Sequence, residues 1–170
     1  ACSDAGGSGC NATSPQYRLD TDATSSTTFG ALTTYTAPIN ISSEGIWAIE
    51  FFSTDNAGNI ESTQTKTIIV DNTAPSNGSI SFPTYSSSST DASISSSNAT
   101  KMRFSCNAID FSAPETYGTT KRLTDILALS GTSCSTGDGS KTISTQFGDN
   151  AGNWSSPISA SITLLDTASP

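Results

Sequence analysis

The chain has 170 residues, of which 34% are hydrophobic and only 13% are charged, and its formal net charge is −8. Seven Lys and Arg residues provide no basic patch for nucleic acid or an anionic lipid surface, so both are excluded as partners. No apolar run is long enough to cross a membrane, which excludes membrane insertion. Because the polarity comes from Ser, Thr, Asn and Gly, we expect solvated strand faces and turns, and therefore an all-β protein.

A tandem repeat divides the chain. The stretch DNAGNIESTQTKTIIVDNTAP at 55–75 has a close copy, DNAGNWSSPISASITLLDTASP, at 149–170, so one unit spans about 95 residues. Helical repeat units are shorter, at roughly 20 to 50 residues, whereas a small β-sandwich has about this length. The sequence therefore predicts two β-sandwich domains, at 1–75 and 76–170.

The first unit has short strand patterns separated by turn residues. Strand segments are predicted at 15–20, at 29–41 as a short pair, at 46–53 and at 64–70. The segment IWAIEFFS is the best of them, with Trp47, Ile49 and Phe51 alternating on one face. We expect these three side chains to lie in the core.

The second unit begins with segments that the first unit lacks. These are an opening strand SISFP at 79–83, a Ser-rich loop at 86–97, and a strand ATKMRFSC at 99–106 with Met102 and Phe104 on one face. An insertion follows at about 109–133. Its residues Leu123, Ile126 and Leu127 have helical spacing, which predicts a short helical turn packed on the core.

The first unit is expected to be incomplete at its N-terminal side. Nothing ahead of Ala1 matches the residues between Pro75 and Cys106, and if Cys2 corresponds to Cys106, the first unit lacks its opening strands within this chain. A sandwich without them has an open edge and half a core. Either upstream sequence supplies the missing strands, or another subunit donates them by strand addition.

The four cysteines are expected to form disulfides. Cys2 and Cys10 bracket the loop SDAGGSG, and Cys106 and Cys134 both lie in the second unit. Three pairings are possible, and keeping each bridge within one repeat favours Cys2–Cys10 and Cys106–Cys134. Zinc is disfavoured because the chain has no CxxC motif and no histidine. Disulfides indicate an extracellular or cell-surface location.

Asn-x-Ser/Thr sequons are compatible with a glycosylated surface protein. The chain has five, at Asn11, Asn40, Asn77, Asn98 and Asn153.

The motif DNAGN, followed by a strand and VDNTAP, resembles the immunoglobulin-like (Big-type) extender repeats of large prokaryotic cell-surface proteins. The resemblance covers nearly all of 1–75, and the segments that carry it are CSDAGGSGC, YRLD, Pro38–Ile41, EGIWAIEFFSTDNAGNIE and DNTAP, with SCNA, FGDNAGNWS and LLDTASP in the second unit. It implies two tandem immunoglobulin-like β-sandwich domains. Such repeats form stalks that project an adhesive or enzymatic tip, or build cell-surface filaments and layers.

Strand direction in an immunoglobulin-type domain predicts a calcium site at the domain junction. The penultimate strand runs towards the N-terminal pole, so the second DNAGN loop is expected to face the linker that leaves the first unit. Ca²⁺ prefers clustered Asp, Asn and carbonyl oxygens, and related extender repeats bind it there. The candidate ligands are Asp71, Asn72, Asp149, Asn150 and Asp110. Alternatively, these Asx residues cap turns and the linker proline stiffens the hinge.

The sequence offers little for catalysis. Without histidine there is no Ser-His-Asp or Cys-His constellation, and the carboxylates are scattered through loops, so we expect no enzyme. The favoured function is a structural extracellular module of a stalk, layer or filament, with neighbouring copies or adjacent repeats of the same protein as partners. The alternative is an adhesin module that recognises glycans or a neighbouring cell through tip loops and the segment 109–133. Of the two tryptophans, Trp154, beside the second DNAGN loop, is expected to be better exposed than Trp47 for stacking on a sugar.

Overall fold

The computed structural model describes residues 7–12, 15–24, 28–83, 85–86 and 90–165, and over these residues the protein is all-β. The chain divides into two compact units, 1–72 and 73–170. Among the described residues no helix is long and apolar enough to cross a membrane.

The first unit is a single antiparallel sheet. Its strands are β1 (Gln16–Asp20), β2 (Thr33–Thr34), β3 (Gly45–Phe52) and β4 (Gln64–Val70). They lie side by side in the order β2-β1-β3-β4. The predicted closing strand at 64–70 is confirmed. The strand pair predicted at 29–41 is wrong, because in that range only Thr33 and Thr34 join the sheet, and Pro38 has no backbone N–H to offer a ladder.

The predicted core face of the first unit is not buried. Trp47, Ile49 and Phe51 do share one face, but all remain accessible, and Phe51 is 36% exposed. The best-buried hydrophobic residue of this unit is Ala48, on the opposite face, at 3% exposure, next to its cross-strand partner Asp20 at 4%. The prediction that these three side chains lie in the core is therefore wrong.

The loop after β1 packs against the part of the sheet around Asp20 and Ala48. The Asp20 carboxylate accepts hydrogen bonds from the backbone N–H groups of Asp22 (3.0 Å) and Thr28 (2.7 Å). The Ala23 N–H donates to the carbonyl of Ile46 at 2.9 Å. These bonds hold the loop against β1 and β3 near Ala48, whereas Ile69, farther along the same face, is 72% exposed.

The second unit is a two-sheet β-sandwich. Its elements are β5 (Ser76–Ser81), β6 (Tyr85–Ser86), β7 (Asp91–Ser97), β8 (Lys101–Ser105), β9 (Glu115–Thr116), β10 (Thr120–Arg122), α1 (Leu123–Leu127), β11 (Gly139–Gly148) and β12 (Ile158–Leu164). One sheet has the order β10-β7-β5 and the other β6-β12-β11-β8-β9. All pairs are antiparallel except β6 with β12, which is parallel.

Aliphatic and aromatic side chains from both sheets and from α1 form the core of the second unit. Met102 and Phe104, predicted to face one way, are both buried there. The core residues are Ile80, Ala92, Ile94, Met102, Phe104, Leu123, Ile126, Leu127, Ile143, Phe147, Ile162 and Leu164.

Part of the predicted Ser-rich loop is a strand. Residues 91–97, DASISSS, form β7, the central strand of the three-stranded sheet. Ala92 and Ile94 point into the core, at 0% and 4% exposure, while the flanking serines face outward. The loop prediction was wrong because only two apolar residues mark the period of two, and serine is a poor indicator of a strand.

The segment 109–133 contributes strands and a helix to the sandwich. It contributes β9, β10 and α1, and the predicted helical turn is confirmed, with Leu123, Ile126 and Leu127 all buried. The view of it as an insertion is revised, because β10 pairs with β7 and the helix fills the core.

The structure contains the predicted Cys106–Cys134 disulfide, with the two Cα atoms 5.0 Å apart. It ties the end of β8 to the chain that leads into β11. Cys10 is also disulfide-bonded. Its predicted partner, Cys2, lies outside the described residues.

Candidate functional site: the tip loops and the open face of the first unit

Asp55 closes the first DNAGN loop. Its carboxylate accepts hydrogen bonds from the backbone N–H groups of Ala57 (2.9 Å) and Asn59 (2.8 Å), and from the side-chain Nδ2 of Asn59 (2.8 Å). Gly58 has a φ of 91°, a backbone conformation that glycine adopts without steric cost. In this motif, hydrogen bonds between Asp55 and Asn59 close the loop, and Gly58 between them has a positive φ.

Asp149 closes the second loop in the same way. It accepts hydrogen bonds from the backbone N–H groups of Gly152 (2.7 Å) and Asn153 (2.9 Å), and from Asn153 Nδ2 (2.9 Å). The φ of Gly152 is 100°. The repeated motif is therefore a repeated geometry, and in both copies the aspartate oxygens are used within the loop.

The loop hydrogen bonds set the acidity of both aspartates. The Asn59 side chain, followed by its backbone N–H, holds the pKa of Asp55 below its usual value of 3.8. At Asp149 desolvation is the largest influence and acts to raise the pKa. The combined hydrogen bonds from Asn153 and Gly152 outweigh it, so the pKa is lowered. Both carboxylates stay ionised well into the acid range.

The predicted calcium ligands are engaged in local contacts. Asp110 accepts hydrogen bonds from Asn107 Nδ2 (2.7 Å) and Ser133 Oγ (3.0 Å), and these bonds, in that order, lower its pKa. Asn72 Nδ2 donates to the carbonyl of Ser42 at 3.1 Å. Asp71 also has a polar partner, and Asn150 is exposed. Among the described residues, no three Asp, Glu, Cys or His side chains form a group that could hold a metal ion.

Asp110 does not lie beside Asp149. Strands β8 and β11 are antiparallel, with Lys101 opposite Gly148 at one end and Ser105 at the other. Asp149 follows the first of these ends and Asp110 follows the second, so about 13 Å of strand separates them. Asp110 therefore leaves the predicted set. A site formed by Asp71 and Asn72 with the second loop concerns the junction between the two units and stays a prediction.

The five sequons differ in the availability of the amide nitrogen. The side chains of Asn40, Asn77 and Asn98 are exposed, although Asn77 Nδ2 donates weakly to Ser97 Oγ at 3.3 Å. The Nδ2 of Asn153 donates to the Asp149 carboxylate and thereby closes the second DNAGN loop. Asn11 is half-buried and has a polar partner. If glycans are attached, Asn40 and Asn98 are the acceptors that the geometry favours.

Trp154 is held by its own unit. The guanidinium of Arg103 stacks over its ring at 4.3 Å, and three carbons of the ring would lie 3.0 Å from a Cβ placed on Gly148. The Arg103 side chain also stacks on Phe111 at 5.0 Å and donates to Gln146 at 2.9 Å. Trp154 and Trp47 are both half-buried, and the Trp154 ring is packed between a cation and a strand backbone.

Strand β1 of the first unit is the counterpart of β8 in the second. Tyr17 pairs with Phe51, and Phe104 pairs with Thr145, which lies 94 positions after Phe51, the offset of the two DNAGN loops. Leu19, and not a cysteine, therefore occupies the position of Cys106. The assumed match between Cys2 and Cys106 was wrong, because the pairing register, unlike cysteine order, fixes which residues correspond.

One sheet of the second unit has no counterpart among the described residues of the first unit. Strands β1, β3 and β4 correspond to β8, β11 and β12, whose inner face is covered by the three-stranded sheet β10-β7-β5. Among the described residues of the first unit, no such second sheet is present. The expectation that the first unit lacks its opening strands stays a prediction, because residues 1–6 lie outside the described residues.

The exposed inner face of the first unit forms an open apolar groove of about 690 Å³. Tyr17, Ile49 and Phe51 line its floor, and Tyr35 and Ile39 line one wall. The Tyr17 and Tyr35 rings meet edge to face at 6.4 Å. In the second unit the positions equivalent to Ile49 and Phe51 are Ile143 and Thr145, and both are fully buried. The first unit thus carries core-type residues without the layer that would bury them.

The outer edge of β4 is also open. In the second unit the corresponding strand, β12, pairs on that edge with β6 through Thr163 and Leu164. Within the described residues β4 pairs only with β3. A seven-residue edge with free backbone groups is a ready template for an added strand.

Comparison with protein-family models finds no match to this chain, and comparison with curated proteins finds no significant match.

Proposed function

We propose that the chain is a structural module of an extracellular stalk, layer or filament, whose partners are neighbouring copies or adjacent repeats of the same protein. The observation that carries the proposal is the contrast between the units: one has a sealed core, and the other has an open apolar face and a free edge. Such surfaces are stable only when another β-element covers them. The proposal assigns no reaction to the chain.

The strand order of the second unit supports an immunoglobulin-like domain of the extender-repeat type. Two antiparallel sheets face each other, with β5, β7 and β10 in one layer and β8, β11 and β12 in the other. This division of strands is the one expected of an immunoglobulin-type sandwich. The disulfide between Cys106 and Cys134 supports an oxidising, extracellular setting.

Strand donation between subunits is the assembly mode that the free edge of β4 supports. An added strand would run beside Ile69 and Val70, as β6 runs beside Thr163 and Leu164 in the second unit. Backbone hydrogen bonds along this edge would supply the affinity.

Localisation on cells that make the protein tests the structural proposal. Antibodies raised against the chain and gold-labelled should decorate regular filaments or arrays outside the cell in electron micrographs. Labelling confined to the cytoplasm would contradict both the extracellular location and the structural role. Labelling scattered over the cell surface without periodicity would contradict the assembly and leave an isolated surface module.

The adhesin alternative stays a prediction and has its own test. A glycan array probed with the disulfide-intact chain should show no saturable binding if the role is structural. Selective binding that is abolished by substitutions in 109–118 or in the second tip loop would favour the adhesin function. Trp154 is not the residue to vary first, because its ring is packed against Arg103 and Gly148.

A further inference from the structure

We infer that the inner face of the first unit binds the same face of a second copy of this chain, so that two four-stranded sheets pack face to face about a two-fold axis. The inference rests on the proposed function in taking another copy as the partner, and it names the surface and the geometry. Sheets packed in this way lie about 10 Å apart and share one core. Each copy would thereby supply the layer that the other lacks.

For the inner face, as distinct from the edge of β4, the number of strands favours whole-sheet packing over donation of a covering sheet by a second copy. Among the described residues, each chain has two inner faces, one per unit, and a single three-stranded covering sheet, β10-β7-β5, which already seals the second unit. If a copy donated that sheet to a neighbour, it would open its own core. Two open faces that cover each other leave no face exposed.

The rest of the chain offers no spare apolar strand. Among the described residues, every strand is already paired within its own unit. The remaining residues read ACSDAG, TS, SST, T, SSS and DTASP, which include no Val, Ile, Leu, Met or aromatic residue. None of these segments can fill an apolar groove, so the inner face itself is the matching surface that a second copy provides.

The charges around the groove suit a two-fold interface. Lys66 pairs with Ile49 across the strands and therefore lies on the inner face, and Glu61 lines the groove near the other end of β4. Both side chains are exposed, and no described residue forms an ion pair with either. A two-fold axis through the region of Gln64 reverses the strand direction. It brings Lys66 of each copy towards Glu61 of the other.

Sedimentation equilibrium of the disulfide-intact chain over a concentration series tests the inference. We expect a monomer–dimer equilibrium that persists at high salt, because apolar contacts at Tyr17, Ile49 and Phe51 supply most of the interface. A monomer at every concentration would overturn the inference. That result would leave the proposed structural function standing, since adjacent repeats or another strand donor could still cover the face.

A charge exchange locates the interface without disturbing either core. Lys66→Glu should weaken the dimer about tenfold, because two symmetric ion pairs become repulsive. The double substitution Glu61→Lys with Lys66→Glu should restore the original dissociation constant. The matched control is Lys101→Glu, which makes the same charge change at an exposed position of the second unit and should have no effect. A dimer that responds equally to both lysine substitutions would contradict the assigned face.

An apolar pair of variants distinguishes the two faces of the same sheet. Phe51→Ser should abolish dimerisation at micromolar concentration, whereas Ile69→Ser should not, although Ile69 is 72% exposed and lies on the opposite face of β4. Far-UV circular dichroism checks that both variants keep the β-sheet signal. If Ile69→Ser dissociates the dimer and Phe51→Ser does not, the interface is on the other face and the inference is wrong.

Discussion

Gly78 in β5 shows how closely the two sheets of the second unit approach at a single residue. A Cβ added there would lie 2.7 Å from Phe147 Cε2 and 2.9 Å from Cδ2, and the Phe147 ring is fully buried and has no room to shift. We expect Gly78→Ala to lower the free energy of unfolding by about 1–3 kcal/mol through overpacking. Urea denaturation of the folded chain measures the change.

Gly137 is the matched control for that substitution. Nothing lies within 4 Å of a Cβ placed there. Gly137→Ala should therefore change the free energy of unfolding by no more than about 0.5 kcal/mol. If both substitutions lower the free energy of unfolding equally, the effect at Gly78 does not come from the close approach of the two sheets.

The tip-loop aspartates predict how stability depends on acid. The pKa of Asp149 is lowered in the folded state, so its contribution to stability is fully present above the usual value of 3.8 and is lost as pH falls through the lower folded-state value. In Asp149→Asn the loop loses that contribution at neutral pH. We expect the variant to melt at a lower temperature at pH 7 and to show a weaker loss of melting temperature as pH falls below 3.8.

The exposed residue Asp138 provides the comparison. Asp138→Asn should follow the melting profile of the unmodified chain at every pH. If Asp149→Asn also follows that profile, the hydrogen bonds from Asn153 and Gly152 do not stabilise the folded state as argued.

At the level of elements, the disulfide is the covalent constraint on the second unit. Cys106 and Cys134 are 28 residues apart in sequence and enclose β9, β10 and α1. Closing a loop of this length stabilises a fold by about 3–4 kcal/mol through restriction of the unfolded chain. We expect the double variant Cys106→Ser with Cys134→Ser to lose about that much in urea denaturation followed by circular dichroism. A loss below about 1 kcal/mol would contradict this role.

Long strands with a clear period of two could be predicted from the sequence, and sparse ones could not. The limits of β4 and the buried face of β8 follow directly from QTKTIIV and ATKMRFSC. Strand β7 was missed because Ser supplies most of its residues, and a Ser-rich strand and a Ser-rich loop have the same composition. Tertiary packing of Ala92 and Ile94 decides between the two.

The candidate site was only partly accessible from the sequence, for the same physical reason. The Asp and Gly residues of the DNAGN loops are typical of turns, so the turn geometry of both loops could be predicted. Which face of β3 is buried could not, because Trp47, Ile49 and Phe51 have the pattern of core residues whether or not a second sheet covers them. Pairing register was needed to recognise β1 as the counterpart of β8 and to separate Asp110 from Asp149.

At the scale of the whole molecule, substitutions at equivalent positions of the two units should lower the free energy of unfolding by different amounts. Phe104 is fully buried, and its counterpart Tyr17 is half-buried on the open face. Phe104→Ala should cost about 3–5 kcal/mol. Tyr17→Ala should cost less than half as much in dilute protein, because part of its ring is already in water. Hydrogen exchange followed by mass spectrometry, with peptides from β8 and β1, assigns each loss to its unit. Equal losses would mean that the first unit has a closed core.

The central claim is that the open face of the first unit is an interface, and Trp47 reports on it. This side chain shares the face of Ile49 and Phe51, and in a Trp154→Phe variant it is the only tryptophan of the chain. Quenching of its fluorescence by acrylamide should be measured over a range of protein concentrations that spans the dimer dissociation constant. The account predicts an accessible Trp47 in dilute protein that becomes protected as concentration rises. Quenching that is the same at every concentration would contradict it.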